Sequence, residues 1–114
     1  MRPVAEIALF TDDVPAVSAF YRELTGADPV AEWPGGTLFA AGEAKILVHE
    51  LSAAMEGGPP NEDHYALAVD ELDATCRALQ AGGVVLLVEP REYPWGRSAY
   101  LRDPDGRLVE LTES

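Results

Sequence analysis

Apolar and polar residues alternate along residues 4–10, the period of a strand with one covered face. Ile7 and Leu9 fall on one side; Val4, Glu6, Ala8 and Phe10 fall on the other. The period then lengthens. Val14, Val17, Phe20, Tyr21 and Leu24 recur at helical spacing, which predicts an amphipathic helix with these side chains as its buried stripe. Asp12 or Asp13 supplies the N-cap, Pro15 sits in the first turn, and Gly26 ends the helix. Three strands are predicted next, at about 29–33, 37–41 and 44–51, with Pro34-Gly35-Gly36 and Gly42-Glu43 as the turns between them. Residues 53–62, rich in Ala, Gly and Pro, read as a linker.

The pattern then restarts. His64 to Val69 alternates as residues 6–11 did, Asp70 caps a second helix with Asp73 three positions on, and Leu72, Thr75, Cys76 and Leu79 form its stripe. Gly82-Gly83 ends it, and strands at about 84–89, 96–102 and 107–112 complete the unit. An offset of 58 carries Glu6 to His64, Leu9 to Leu67, Asp12 to Asp70 and Ala16 to Ala74. This is an internal duplication of a βαβββ unit. It predicts a single α+β domain at 1–114, with repeat one at 4–52 and repeat two at 63–114. The two repeats form a curved mixed sheet with helices on its outer face and a concave face free to enclose a ligand.

The final hairpin has the sharpest register. Pro104 presets φ for a turn and Gly106 can take the left-handed conformation after it, so Asp103 pairs with Arg107, Leu101 with Val109 and Tyr100 with Glu110. Tyr100, Leu108, Glu110 and Thr112 then share one face; Leu101, Val109 and Leu111 share the apolar one. A one-residue slip would reverse every side chain.

Charge and cysteine content narrow the functional classes. The net charge of −12 argues against nucleic acid or an anionic membrane as partner, since both call for clustered Lys and Arg. It suits cationic ligands. Cys76 is the only cysteine, which excludes an internal disulfide, and its place on a helix stripe makes it a small core residue. The N-terminus lacks the apolar core of a signal peptide, and no run is long enough to span a bilayer; a cytoplasmic protein is expected.

If the helices cover the faces carrying Ile7, Leu67 and Leu111, the concave face presents Glu6, His64 and Glu110. Glu6 and His64 are repeat mates, so pseudo-symmetry brings them to matching places in one cavity. One imidazole and two carboxylates suit a divalent first-row metal, and two carboxylates with a doubly charged ion sum to zero.

The paired βαβββ pattern, Asp12-Asp13 with Phe20-Tyr21 and Gly26, His64 through Asp70, and Asp103-Pro104-Asp105-Gly106 leading to Glu110 together resemble the vicinal oxygen chelate superfamily. That group includes glyoxalase I, bleomycin-resistance proteins, fosfomycin-resistance thiol transferases and extradiol dioxygenases. The resemblance covers essentially the whole chain. It implies metal ligands on the first and last strands of each repeat, which map onto His64 and Glu110, with Glu6 where His is usual. The fourth position falls on His49 or on Glu50; strand parity forbids both from facing the cavity. The resemblance also implies a homodimer acting on a small molecule.

Several residues are candidates for the cavity wall. Tyr100 follows from the hairpin pairing, and Ser98 shares its face, as does Arg102. Trp33, Trp95, Phe10 and Phe39 could stack on a ligand, although either tryptophan could equally be a lid over the core. Arg91 and Arg97 are candidates for an anionic substrate group, with a surface position as the simpler placement. Two functions are open. One is a metalloenzyme with zinc, nickel, manganese or iron gripping vicinal oxygens while Glu6 or Glu110 moves a proton, in lyase or isomerase chemistry. The other is a metal-free, antibiotic-binding protein; thiol transfer of the fosfomycin type is a further variant of the first.

Overall fold

The computed structural model describes residues 2–51 and 58–114. Its elements run β1 (Val4–Thr11), α1 (Val14–Thr25), β2 (Ala31–Trp33), β3 (Gly36–Ala41), β4 (Ala44–Glu50), β5 (His64–Val69), α2 (Leu72–Ala81), β6 (Leu86–Tyr93), β7 (Gly96–Arg102) and β8 (Leu108–Glu113). The βαβββ order occurs twice. The first half of the expected linker, residues 53–57, lies outside the described residues, as does Ser52 at the end of repeat one.

All the strands join one mixed sheet in the order β2-β3-β4-β1-β5-β8-β7-β6. The order is symmetric about its centre: β1 runs parallel to β4, β5 runs parallel to β8, and β1 meets β5 antiparallel at the seam between repeats. The sheet is open, with β2 and β6 at its two edges. Both helices lie against one face, α1 on β3 and β4 and α2 on β6, β7 and β8. The fold is therefore the α+β arrangement expected from the repeat.

The second repeat holds the main core. Leu72 and Cys76 of α2 pack with Val69, Ala99 and Leu111 of the sheet. Asp13 caps α1, its carboxylate accepting from the Ala16 N–H at 3.1 Å, and Gly26 ends it at φ 70°.

Two expectations fail here. The buried line of α1 is Val14, Val17, Ser18 and Tyr21, while Phe20 and Leu24 stand 59% and 67% exposed. The helix turns a hydroxyl inward because Ser18 Oγ meets Thr37 Oγ1 of β3 at 2.8 Å, which satisfies both buried groups. On α2 the N-cap position is Glu71 rather than Asp70, and its side chain makes no cap bond. Instead the Glu113 carboxylate reaches over from β8 and accepts from the Leu72 N–H at 3.0 Å. Asp73 is engaged elsewhere, holding Arg97 through two contacts of 3.1 Å.

The last hairpin has the expected register. Asp103 N–H donates to the Arg107 carbonyl, Gly106 adopts φ 90°, and Tyr100 pairs with Glu110 and Leu101 with Val109.

Candidate functional site

The face away from the helices encloses a cavity of about 690 Å³. Strand register builds its floor. Glu6 on β1 pairs with Ala66 on β5, Ala66 pairs with Glu110 on β8, and Glu110 pairs with Tyr100 on β7. The two glutamates thus stand two strands apart, about 10 Å between their backbones at ordinary strand spacing. Ala66 between them is 2% exposed and contributes only a methyl group, so both carboxylates can extend over it.

Of the residues singled out from sequence, Glu6, Phe10, Trp33, His49, His64, Trp95, Tyr100 and Glu110 line the cavity. Ser98 is wholly buried beneath the wall, where it touches Glu110. The choice between His49 and Glu50 is decided by β1, whose Phe10 pairs with His49 on the cavity side while Glu50 pairs with Thr11 on the other. The Phe10 ring contacts both imidazoles, with centroid distances of 5.3 Å to His49 and 6.0 Å to His64. The Trp33 ring lies over Gly36, where an added Cβ would come within 2.8 Å of it.

His64 and Glu110 form the polar centre. His64 Nδ1 lies 2.9 Å from the Glu62 carbonyl, which can only accept, so Nδ1 carries a hydrogen. Nε2 lies 3.0 Å from Glu110 Oε1, and both side chains are 6% exposed. A neutral imidazole would present a lone pair to that carboxylate oxygen, so the contact requires a proton between them. Burial works against the imidazolium. The hydrogen bonds to Glu110 and the Glu62 carbonyl, with the charges of Glu110 and Glu6, outweigh it and raise the His64 pKa. The other Glu110 oxygen accepts from Ser98 Oγ–H at 2.7 Å.

Around this pair burial works against charge on the remaining groups. Burial, reinforced by the charge of Glu110, raises the Glu6 carboxyl against the opposing pull of His64 and Lys45. Burial and Glu110 likewise push the Tyr100 phenol far above its ordinary value. Tyr93 lies edge-on to Tyr100 at 6.1 Å and stacks on Trp95 at 4.5 Å. Its buried hydroxyl has no hydrogen-bond partner among the described residues.

Sequence reasoning missed the residues that come from outside the strand pattern. Pro59, Pro60 and Asn61 close one side of the cavity. Glu62 then orients His64 through its carbonyl while Arg102 grips its carboxylate at 2.8 and 3.1 Å. Ala66 could have been found by extending the strand parity one position beyond His64, while Thr112 stands on the Glu110 face as the hairpin parity predicts.

The donor chemistry suits a divalent ion in part. His64 Nε2 and Glu110 Oε1 face each other with their outer atoms already hydrogen-bonded, which is how metal-ligating side chains are usually held. Among the described residues, however, no three His, Cys, Asp or Glu side chains converge as a complete metal-binding group. Among the described residues, too, no helix is long and apolar enough to cross a membrane.

Residues 4–111 match the Glyoxalase/Bleomycin resistance protein/Dioxygenase superfamily. Among curated relatives, the chain is 33% identical over 111 residues to the "Putative glyoxylase CFP32" of Mycobacterium bovis, covering 90% of this chain and 41% of that protein. The chain thus spans well under half the length of that relative. It is 28% identical over 116 residues to the glutathione transferase FosA of Serratia marcescens, covering 97% of this chain and 80% of that one. Among solved structures, methylmalonyl-CoA epimerase from Mycobacterium tuberculosis superposes with a TM-score of 0.76 at 23% identity, over 96% of this chain and 86% of that one, a likeness of fold. With its duplicated βαβββ unit and the family match spanning both repeats, the chain belongs to the glyoxalase/bleomycin resistance protein/dioxygenase superfamily.

Proposed function

We propose that the cavity is the active site of a small-molecule lyase or isomerase, in which His64, Glu110 and Glu6 hold a divalent ion and Glu6 moves a proton. The observation that carries this reading is the way the two central side chains are held. The Glu62 carbonyl takes His64 Nδ1–H and Ser98 takes Glu110 Oε2, leaving Nε2 and Oε1 turned toward each other. Glu6 reaches the same floor from the neighbouring strand across Ala66. One nitrogen and two carboxylates suit zinc, nickel, manganese or iron. Such an ion, when bound, grips neighbouring substrate oxygens and stabilises the negative charge that develops there.

The chain's own residues supply the rest. Burial, reinforced by the charge of Glu110, raises the Glu6 carboxyl, which makes it a better acceptor for a substrate proton. Ser98 fixes the Glu110 carboxylate in one orientation. Phe10, Trp33, Trp95 and Tyr100 give flat walls that orient the ligand and exclude water. The same reading has one domain of two repeats, 4–52 and 63–114, joined by 53–62, acting as a cytoplasmic homodimer.

The test is metal content of protein purified without added metal, followed by thermal shift with zinc, nickel, manganese and iron. About one equivalent per chain is expected, with stabilisation by at least one ion that Glu6→Gln weakens and His64→Ala abolishes. Absence of both uptake and stabilisation refutes the metal reading. The metal-free binding protein is then favoured, because His64 and Glu110 already satisfy each other without an ion.

A further inference from the structure

The two repeats reach the cavity with matching hairpins. Trp33-Pro34-Gly35-Gly36 joins β2 to β3, and Tyr93-Pro94-Trp95-Gly96 joins β6 to β7. In each, the aromatic residue that ends one strand pairs with the glycine that opens the next, Trp33 with Gly36 and Tyr93 with Gly96. The repeat mates are then used differently. The Trp33 ring lies over Gly36 and meets the cavity directly, 41% exposed. No described atom comes within 4 Å of where a Gly96 Cβ would stand. Tyr93 is instead buried behind the wall, 7% exposed, and Trp95, at the position that Gly35 holds in repeat one, lines the cavity in its place.

Tyr93 and Trp95 stack almost parallel, with ring centroids 4.5 Å and planes 5° apart. One face of the indole is thus covered by the phenol ring. Trp95 nevertheless stays 57% exposed, so it meets the cavity with its other face and its edge. Tyr93 is itself held: Tyr100 meets it edge-on at 6.1 Å, and the Arg91 guanidinium lies 5.4 Å from its centre. Pro94 fixes φ in the two-residue turn that carries Trp95. A surface tryptophan free to turn would lose that freedom when a ligand settled on it. Here the stack sets the plane of the indole beforehand, so less ordering is left for the binding step.

We infer that Tyr93 is a specificity-determining positioning residue: it backs the Trp95 indole as a fixed platform, and that platform selects ligands with a planar conjugated ring over saturated rings of the same size. The inference rests on the cavity being the ligand site and is independent of metal. Its selectivity comes from contact between flat π faces. A saturated ring buries at least as much apolar surface, so burial alone does not favour the planar one.

A matched pair of uncharged probes tests it. 2-Hydroxyacetophenone and 1-cyclohexyl-2-hydroxyethanone share the same two neighbouring oxygens; only the first has a planar ring. Calorimetric titration of the full chain is expected to show the planar probe binding about fivefold more tightly. Trp95→Leu removes the platform and is expected to equalise the two affinities. Tyr93→Leu keeps the indole but removes its backing, and is expected to cut the preference by at least about half. Tyr93→Phe keeps the flat ring and is expected to keep the preference. Tyr93→Met, flexible and without a flat face, takes the place of Tyr93→Leu if that chain folds poorly. A purely structural role for Tyr93 would weaken both probes alike and leave their ratio unmoved.

A native chain that binds the cyclohexyl probe as tightly as the planar one, or that binds neither, overturns the inference. So does a folded Tyr93→Leu or Tyr93→Met chain that keeps the full ratio, or a Tyr93→Phe chain that loses it. Metal uptake is scored separately. A chain that takes up metal and shows no preference for the planar ring loses this inference and keeps the proposed function. A chain that binds no metal yet prefers the planar probe does the reverse.

Discussion

Replacing Glu110 by Gln removes one charge and almost no volume, which isolates the contribution of the His64–Glu110 ion pair. In the native protein the carboxylate accepts from His64 at 3.0 Å and from Ser98 at 2.7 Å, with both members of the pair 6% exposed. Hydrogen bonds to a charged group contribute about 1.5–3 kcal/mol and neutral ones about 0.5–1.5, so converting two of them costs about 2 kcal/mol. For a domain of this size that is roughly 5–10 °C in Tm.

The sign with pH follows from His64. Its folded pKa lies above the unfolded value, so the stability it contributes is fully present below the unfolded histidine pKa and is lost as pH rises through the folded one. Glu110→Gln should therefore destabilise metal-stripped protein at pH 6, and the gap should close at pH 9. With the Glu110 bond and charge gone, burial becomes the dominant influence, and the His64 titration followed by NMR should move downward. A Tm gap that is the same at both pH values, or a His64 titration that does not move, would refute the assignment of the proton to the imidazole.

Arg102→Ala frees the Glu62 segment that orients His64, and His64 should then titrate lower with its Nδ1 signal broadened; Arg102→Lys should restore the titration only in part, because a lysine cannot match the two-point grip. Tyr93→Phe removes a buried hydroxyl that has no partner among the described residues, so denaturant melts should show stability unchanged or raised by about 1 kcal/mol, and a loss above that would mean the hydroxyl is bonded. Phe20→Gln and Leu24→Gln should each change stability by less than about 0.5 kcal/mol, whereas Tyr21→Ala on the inward line of the same helix should cost several-fold more.

What could be read from the sequence was what a short local pattern determines. The Asp103–Gly106 turn admits one register, so the Tyr100–Glu110 pairing and the inward direction of Glu110 followed from it. Parity on β1 and β5 placed Glu6 and His64 on the same face for the same reason. Where the outcome depended on a distant partner, local pattern was silent or misleading. The cap of α2 comes from Glu113, far along the chain, and Asp70 looked adequate only because nothing nearby competed. Phe20 fits a helical stripe as well as Ser18 does; only the Thr37 hydroxyl on β3 makes the serine the inward residue. The choice of His49 over Glu50 needed the register of β4 against β1. Pro59, Pro60 and Asn61 have no periodicity at all, so no face could be assigned to them before the cavity they close was seen.

Trp33 ends β2 and Trp95 sits in the turn between β6 and β7, so the two indoles ride on opposite margins of a single sheet whose middle is the β1–β5 seam. The cavity behaves accordingly as a pair of jaws with a pleated hinge. A small change of twist at the seam, where the β1–β5 pairing already shifts between Val4 and Glu6, is multiplied across three further strands on each side before it reaches an indole. The bite of the site is thus a property of backbone coiling in the whole sheet, and substitutions at the seam should retune which ligand widths fit without touching any residue that meets the ligand.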